Sequence, residues 1–493
     1  MVSHGDKTEV LMAISLKGRR ELFWDLDIFE SHEGVRINRH APIRKNEALV
    51  CDDPWEGVTC GYPAIRKVGD EYRFYYRASG KNEMAKGESF CVATSKDGVH
   101  FEKPSLQKYA FGEIKETNIH HREDRFIDNF SIFYDDNPSC PEEERFKALS
   151  LISTPTPEKY YTELGLYVSS DGLDFKFLRK LPIKGVFDTY NVLIWDKEEK
   201  LYRIYLRDFH NPDGSECVYE PTDAMNLCIR DVRLTKSKDL ISFTEPERLS
   251  YGEGAEDIQL YTNQIIKYPR ADIFFGMPTR YINRVEDKAS FKYLNDIGGW
   301  RSEYLKTGNR IGSAMTDCVI MYSRDGKNFL RDNNAFAIPE YEEEANWVYG
   351  DCYFAHGLVE TVSDENPLVN EYSLYCGIGY RQNNIRFVRY TVRLDGFYSV
   401  RADHDGGELL TKEMTLGDTL KMNFSTSAFG GVRIIVTDKS GEPIEGYDSG
   451  VLFGNSVDRN VDFEKPLSLL SGKEVRLKII MKDADIYSIC SDM

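Results

Sequence analysis

Four short stretches of this chain share one grammar: SKDGVHF (Ser95 to Phe101), SSDGLDF (Ser169 to Phe175), SKDLISF (Ser237 to Phe243) and SRDGKNF (Ser323 to Phe329). Each has a Ser, an Asp two residues on and a Phe six residues on, and three add Gly after the Asp. The copies start 74, 68 and 86 residues apart (169−95, 237−169, 323−237). A repeat of that size is a supersecondary unit rather than a catalytic motif. Ser and Asp side chains bond to backbone N–H groups in turns, and Gly supplies a positive φ. The motif therefore reads as four copies of a structural turn, with the Phe packing into a seam between units.

Around the turns the text alternates between two kinds of strand. One kind reads YPAIRKV (from Tyr62), FSIFYD (from Phe130), NVLIWD (from Asn191), NQIIKYP (from Asn263) and YFAHGLVE (from Tyr353). The second kind ends at Arg77, Leu151, Arg207, Arg280 and Arg381, after short polar turns with hairpin chemistry. A third strand often precedes Ser-x-Asp, as in FCVATSKDG. Five such units predict an all-β fold, a five-bladed β-propeller. Aromatic residues make up 13% of the chain, which suits pleated surfaces. From about Asp395 the pattern changes to short alternating segments with Gly-rich turns, which predicts a β-sandwich. The expected organisation is an N-terminal segment, 1–48, packing on the propeller; the propeller, 49–395; and the sandwich, 396–493. The run ELFWDLDIFES is expected to pack on the propeller or close its ring. Short helical turns are expected only near Glu286 to Asn295 and in EEEANW (Glu342 to Trp347).

The net charge of −18 disfavours a nucleic-acid partner. No apolar run approaches the ~18 residues that span a bilayer, so no membrane partner is expected. The first residues lack a signal-peptide pattern, and a cytoplasmic location is the expectation. The ten Cys are scattered without a C-x-x-C pair and read as reduced. No metal or cofactor is expected.

A propeller binds ligands at the mouth of its channel, where inner strands begin and second strands end. The inner-strand starts offer Asp53, Asp128, Asp188, Glu256, Asp257 and Asp351 as candidate catalytic carboxylates. The second strands end in Arg77, Arg207, Arg280 and Arg381, and Arg can hold a neighbouring carboxylate ionised. Trp55, Trp347, Tyr190 and Tyr261 lie near the same starts and could stack on sugar faces or pack in blade seams, with Asn191 and Asn263 beside them. Carboxylates converging on one mouth suit glycoside hydrolysis, in which one acid protonates the leaving oxygen and a second acts as base or nucleophile. The core set is Asp128, Asp188 and Glu256. Asp188 comes first, because FDTYN places it just before a clear inner strand. A carbohydrate is the expected partner. It is neutral if the Arg residues only neutralise the carboxylates, and a uronate or sulfate if one or two stand free. The alternative is a non-catalytic carbohydrate-binding or scaffold propeller.

The runs RELFWDLDIFE, DPWE, DDNPSCPEEERFKAL, FDTYNVLIWD, YTNQ and SRDG resemble those of bacterial glycosyl hydrolase-like proteins of the family 32 and family 43 type. The terminal GGELLTKEM, GGVRIIVTDKSGEPIEGY and GKEVRLKIIMKDADIYS also resemble the sandwich of that group. The resemblance covers nearly the whole chain and implies a five-bladed propeller with a C-terminal sandwich and glycosidase chemistry. The W-M-N-D-P-N-G, R-D-P and E-C motifs of family 32 have no match here, DDPWE being a distant echo of the first. Where family 43 places its acid Glu on the third blade, this chain has Asp188. The resemblance therefore carries over no individual catalytic role.

Overall fold

The computed structural model describes residues 14–80, 88–154, 161–217, 228–308, 310–343, 347–382 and 385–492. The chain divides into two compact units: Pro42–Tyr268 with Ile273–Thr391, and Met1–Ala41 with Pro269–Asp272 and Val392–Met493.

The first unit is a five-bladed propeller. Blade one comprises Gly61–Val68, Glu71–Ala78, Ser89–Ser95 and Ile119–His121, in antiparallel order from the inside outwards. Blade two follows with Asp128–Tyr134, Phe146–Leu151, Leu164–Ser169 and Lys176–Lys180. Blade three is Val192–Asp196, Leu201–His210, Ile229–Ser237 and Glu247–Arg248. In blade four the two inner strands are each interrupted (Gln259–Leu260 and Ile266–Lys267; Phe274–Gly276 and Thr279–Asn283), and Ala314–Ser323 and Leu330–Ala337 complete it. Blade five, Val359–Val362, Asn370–Ile378 and Arg386–Arg393, takes its outer strand from the other end of the sequence, Ile43–Val50. That pairing ties the ring closed and leaves no open edge between first and last blades.

The closing strand is not ELFWDLDIFES. Arg19–Leu22 pairs with Glu474–Ser491, and Phe29–Glu33 with Gly407–Thr411. Phe23, Ile28 and Phe29 join the core of the second unit. The reason is apolar density: this run has too many large side chains for an outer blade strand. Ile43–Val50, with only Ala48 and Leu49 buried, suits that place. The segment taken as 1–48 thus divides at Ala41.

The Ser-x-Asp turn has the same geometry in all four copies, between the third and fourth strands of a blade. In the first, Gly98 N–H donates to Ser95 Oγ (2.9 Å) and Val99 N–H to Asp97 Oδ1 (2.7 Å). In the third copy Leu240 stands where the others have Gly, yet adopts the same left-handed backbone, φ 56°, against 73° at Gly98. Tyr hydroxyls on middle strands of the preceding blades donate to the turn carbonyls, Tyr375 to Gly98 and Tyr205 to Gly326 (2.9 Å for the latter). In these two copies the motif clips a blade to its predecessor.

The second unit is all-β. Its strands form one eleven-stranded hydrogen-bonded sheet around a single apolar core that includes Leu409, Phe424, Ile434 and Ile479. Some of the short strands expected here are merged into a pair of long ones, Lys421–Thr437 and Glu474–Ser491, which pair with register shifts at Asn423/Phe424 and Thr426/Gly431. Bulges let one strand bend and serve two faces of a core.

Among the described residues the only α-helix is Trp300–Lys306, and no helix is long and apolar enough to cross a membrane. A 3-10 segment, Val285–Tyr293, lies where helical turns were expected. Residues 344–346 of EEEANW lie outside the described residues. Not all cysteines are reduced: Cys217 and Cys228 form a disulfide, while the other eight are free and buried.

Candidate active site

Arg77 ends the second strand of blade one opposite Gly61, and Asp128 begins the inner strand of blade two. Glu88 immediately precedes the third strand of blade one. The Arg77 guanidinium gathers them. Its Nε lies 3.1 Å from Glu88 Oε2 and its Nη1 3.4 Å from Asp128 Oδ1. It also donates to Asn129 Oδ1 (3.1 Å) and to the Thr59 carbonyl (3.1 Å). Asn129 takes a left-handed φ of 55°, and the inner-strand register shifts between Asp128 and Ser131. Its amide then donates to Asp188 Oδ1 (3.4 Å). Arg207 holds Asp188 from the other side, donating to its carbonyl (2.8 Å) with the carboxylate at 3.8 Å. Carboxyl groups from blades one, two and three, Glu88, Asp128 and Asp188, are thereby linked through Arg77, Asn129 and Arg207.

These carboxyls differ in their surroundings. The Asp188 side chain is half exposed (51%), that of Glu88 a quarter (25%) and that of Asp128 less (18%). Glu88 Oε2 itself is closed off from solvent. Burial pushes the Glu88 carboxyl well above the usual range; Arg77 opposes this, and the hydrogen bond to Asp128 and the charges of Asp128 and Asp188 add to it. A carboxyl sharing a proton with a neighbour while facing a second anion is held in its acid form. Burial acts against the Arg77 cation, but Glu88, Tyr380 and Asp128 hold it charged.

Beside the carboxyls is a bed of tyrosines from three blades and the loop before blade five. Tyr353 lies 5.7 Å from Tyr62, 5.8 Å from Tyr261 and 6.4 Å from Tyr380, between ring centroids. Tyr349 stands edge-on to Tyr261 at 5.5 Å. Burial first, and then neighbouring tyrosines and Asp188, raise the Tyr62 and Tyr349 phenols well above their usual range, so they remain donors.

The other residues singled out in the sequence fall elsewhere. Asp53 belongs to a separate cluster with Asp52 and Glu56, whose ligand oxygens lie within 4.8 Å of one another. Lys103 Nζ sits among them at 2.9, 3.0 and 2.8 Å from Asp52, Asp53 and Glu56, so an ammonium takes the place a metal cation would occupy. Trp55 is buried there, donating to Asn118 (2.8 Å). Asp351 is buried and accepts from the Val348 N–H of its own loop (2.7 Å); burial raises its carboxyl to about 8. Glu256 is exposed and offers its backbone carbonyl to Arg331. Asp257 bonds His210 Nε2 (2.7 Å), whose Nδ1 faces Asp231 (2.9 Å). Tyr190 is fully buried against His356 and cannot stack on a ligand. Asn191 and Asn263 are turn-fixing residues: Asn191 donates to the carbonyls of Phe187 and Thr189, and Asn263 accepts from the Ile265 N–H. Trp347 is partly buried, and its carbonyl accepts from Arg301. Arg280 pairs with Asp317, and Arg381 donates to the Tyr304 hydroxyl (3.2 Å). Of the proposed core set, the structure brings together Asp128 and Asp188 but not Glu256.

Glu88, Arg230 and Arg310 were missed, and all three share one position. Glu88 immediately precedes Ser89–Ser95, Arg230 is the second residue of Ile229–Ser237, and Arg310 begins a 3-10 segment just before Ala314–Ser323: each lies at the start of the third strand of its blade. In an antiparallel blade the third strand starts on the same side as the first. The strand-start rule applied to the inner strands would have found them two strands further out.

No family model matches the chain, and no curated protein matches it. Solved structures similar to it include a thermostable family-43 glycoside hydrolase, 13% identical over 71% of this chain and 95% of that one, TM-score 0.41. A GH32 beta-fructofuranosidase of Bombyx mori is 10% identical over 92% and 94%, TM-score 0.39. A putative glycoside hydrolase from Parabacteroides distasonis is 14% identical over 74% and 97%, TM-score 0.37. Their families include the two that the sequence resembles.

Proposed function

We propose that the protein is a glycoside hydrolase whose reaction takes place where blades one to three meet the channel mouth. The observation that carries this reading is the unequal trio Glu88, Asp128 and Asp188. Glycosidic cleavage needs one carboxyl that is protonated at working pH and another that is ionised within reach of the anomeric carbon. Glu88 is the acid. It gives its proton to the glycosidic oxygen as the C–O bond breaks, and the leaving group departs as an alcohol. Asp188, the most exposed of the three, faces the opened anomeric carbon as base toward water or as nucleophile. Asp128 is a positioning residue: its hydrogen bond keeps the proton on Glu88. Arg77 orients both carboxyls, and the buried tyrosines wall the site beside them.

The test is a screen of aryl glycosides and short oligosaccharides, with Glu88→Gln and Asp188→Asn proteins beside the natural chain. Turnover by the natural chain that either substitution abolishes, with melting temperature unchanged, supports the reading. Turnover that survives both substitutions overturns it.

A further inference from the structure

On one side of the mouth each guanidinium meets a carboxylate; on the other, among the described residues, two of three do not. Arg77 meets Glu88 and Asp128, and Arg280 meets Asp317. Across the tyrosine bed three guanidinium groups gather. Arg207 and Arg230 lie 5.7 and 5.6 Å from the Tyr261 ring centre, and Arg230 and Arg310 lie 4.2 and 5.5 Å from that of Tyr281. Arg207 has Asp188 beside it. The hydrogen bond of Arg230 goes to the neutral amide of Gln259, and that of Arg310 to the Tyr281 hydroxyl (3.3 Å). Among the described residues neither has a carboxylate within ion-pair distance. The chain has 81 acidic residues against 63 Lys and Arg, so two neighbouring cations without a counter-ion run against its overall balance. Burial, and then the charges of Arg207 and Arg310, push Arg230 down.

A part-buried cation without an anionic partner is costly, and an arrangement of several is kept where something else brings the anion. The planar guanidinium matches an oxyanion bidentately, and the aromatic faces below hold the cations in place. We propose, resting on the hydrolase reading above, that the substrate is an acidic sugar and that Arg230 and Arg310 receive its oxyanion. The shared chemistry is a sugar-borne carboxylate or sulfate. The acid group is then held away from Asp188, which removes the repulsion that an anion would meet at the carboxyl trio.

Equilibrium binding tests this apart from catalysis. The probes are galacturonic and glucuronic oligosaccharides, their methyl esters, sulfated disaccharides, and inorganic phosphate alone, each titrated calorimetrically at low and high salt. The expected result is that either a uronate or a sulfated sugar binds at least about tenfold more tightly than its uncharged counterpart. Added salt should shrink that preference, because it screens partly exposed charge. Arg230→Gln and Arg310→Gln should each reduce it, and Arg230→Lys should recover less than its retained charge suggests. Which acid is preferred separates carboxylate from sulfate. Charged and uncharged forms that bind alike, or that all fail to bind, overturn the proposal. So does a preference that survives both Gln substitutions in one protein, or inorganic phosphate binding as tightly as the acidic sugars. An acidic sugar that binds with this preference but is not cleaved sinks the hydrolase reading alone. A neutral sugar that is cleaved without any acid preference sinks this inference alone.

Discussion

Two acidic clusters lie in the propeller, and they teach opposite lessons from the same residue types. At DDPWE, Asp52, Asp53 and Glu56 surround the Lys103 ammonium, and Glu56, wholly buried, also accepts from the Tyr76 hydroxyl (2.6 Å). Around Arg77, Glu88 and Asp128 share one cation and one hydrogen bond, with Asp188 adding a further negative charge. In the first cluster a single ammonium contacts every carboxylate, and burial raises Glu56 only against opposition from Lys103 and Tyr76. In the second, no single cation among the described residues contacts all three carboxyls, and Asp128 and Asp188 add to the rise at Glu88. A carboxylate cluster gathered on one ammonium stabilises a fold; a carboxyl raised beside other carboxyls keeps a proton that chemistry can use.

The largest expected effect comes from removing that proton. Glu88→Gln should lower kcat by about 10²–10⁴-fold, the usual worth of a general acid. The pH profile should change as well. Because the folded Glu88 carboxyl is raised, activity that needs its acid form holds at low pH and is lost as pH rises through the raised value. The residual activity of the Gln variant should lack that alkaline limb. A limb that persists unchanged would assign it to another group.

Lys103→Met breaks the comparison from the other side. It leaves Glu56 buried beside two further carboxylates and should cost about 3 kcal/mol, measured by denaturant unfolding. The sign with pH follows from the direction of the Glu56 shift. A carboxyl raised in the folded state contributes full stability below its unfolded value and loses it as pH rises through the folded one. Removing Lys103 raises Glu56 further, so the destabilisation should grow from pH 4 to pH 8. Turnover per folded molecule should not change.

The repeated turn and the five strand pairs were legible because their chemistry is local. Ser95 and Asp97 bond to N–H groups within three residues, so the sequence window contains both partners. Even the departure at Leu240 keeps the turn, since the Ser and Asp bonds remain. Ring closure was not legible in this way. The pairing of Ile43–Val50 with Arg386–Arg393 joins distant segments, and the apolar run before it looked the better candidate. Within the site, Asp128 and Asp188 were found because they precede inner strands. Glu88 was not, because its shift depends on burial and on Asp128 and Asp188, residues distant in sequence that only the ring brings beside it. Tyr190 and Asn191 show the converse error: proximity to Asp188 in sequence put them near the site, but strand alternation and turn bonds turned them inward.

Asp128→Asn should give a smaller effect that sharpens the comparison. Asp128 raises Glu88 through a hydrogen bond and through its charge. Neutralising it lowers the Glu88 value, so the alkaline limb should move to lower pH. A limb that moves to higher pH would reverse the role given to Asp128.

The smallest effect is expected at Asp53, and it is the sharpest comparison because DDPWE is the stretch that echoes the start of family 32. Asp53 is one of three carboxylates on Lys103, with its Oδ2 at 3.0 Å, and about a third of its side chain is exposed (32%). Its backbone N–H donates to Glu56 Oε2 (2.8 Å), a bond that does not depend on its side chain. In Asp53→Asn the ammonium keeps Asp52 and Glu56, and one of two negative charges flanking Glu56 is removed. An exposed contact of this kind is worth less than about 1 kcal/mol, and relief of repulsion offsets part of even that. Stability should therefore stay nearly constant, and kcat/KM should remain within about twofold, roughly 0.4 kcal/mol. Chemical unfolding and turnover on the same preparation would check both. A collapse of turnover with stability intact would move the reaction to the Lys103 cluster, and the site around Arg77 would then be the one that only holds the blades together.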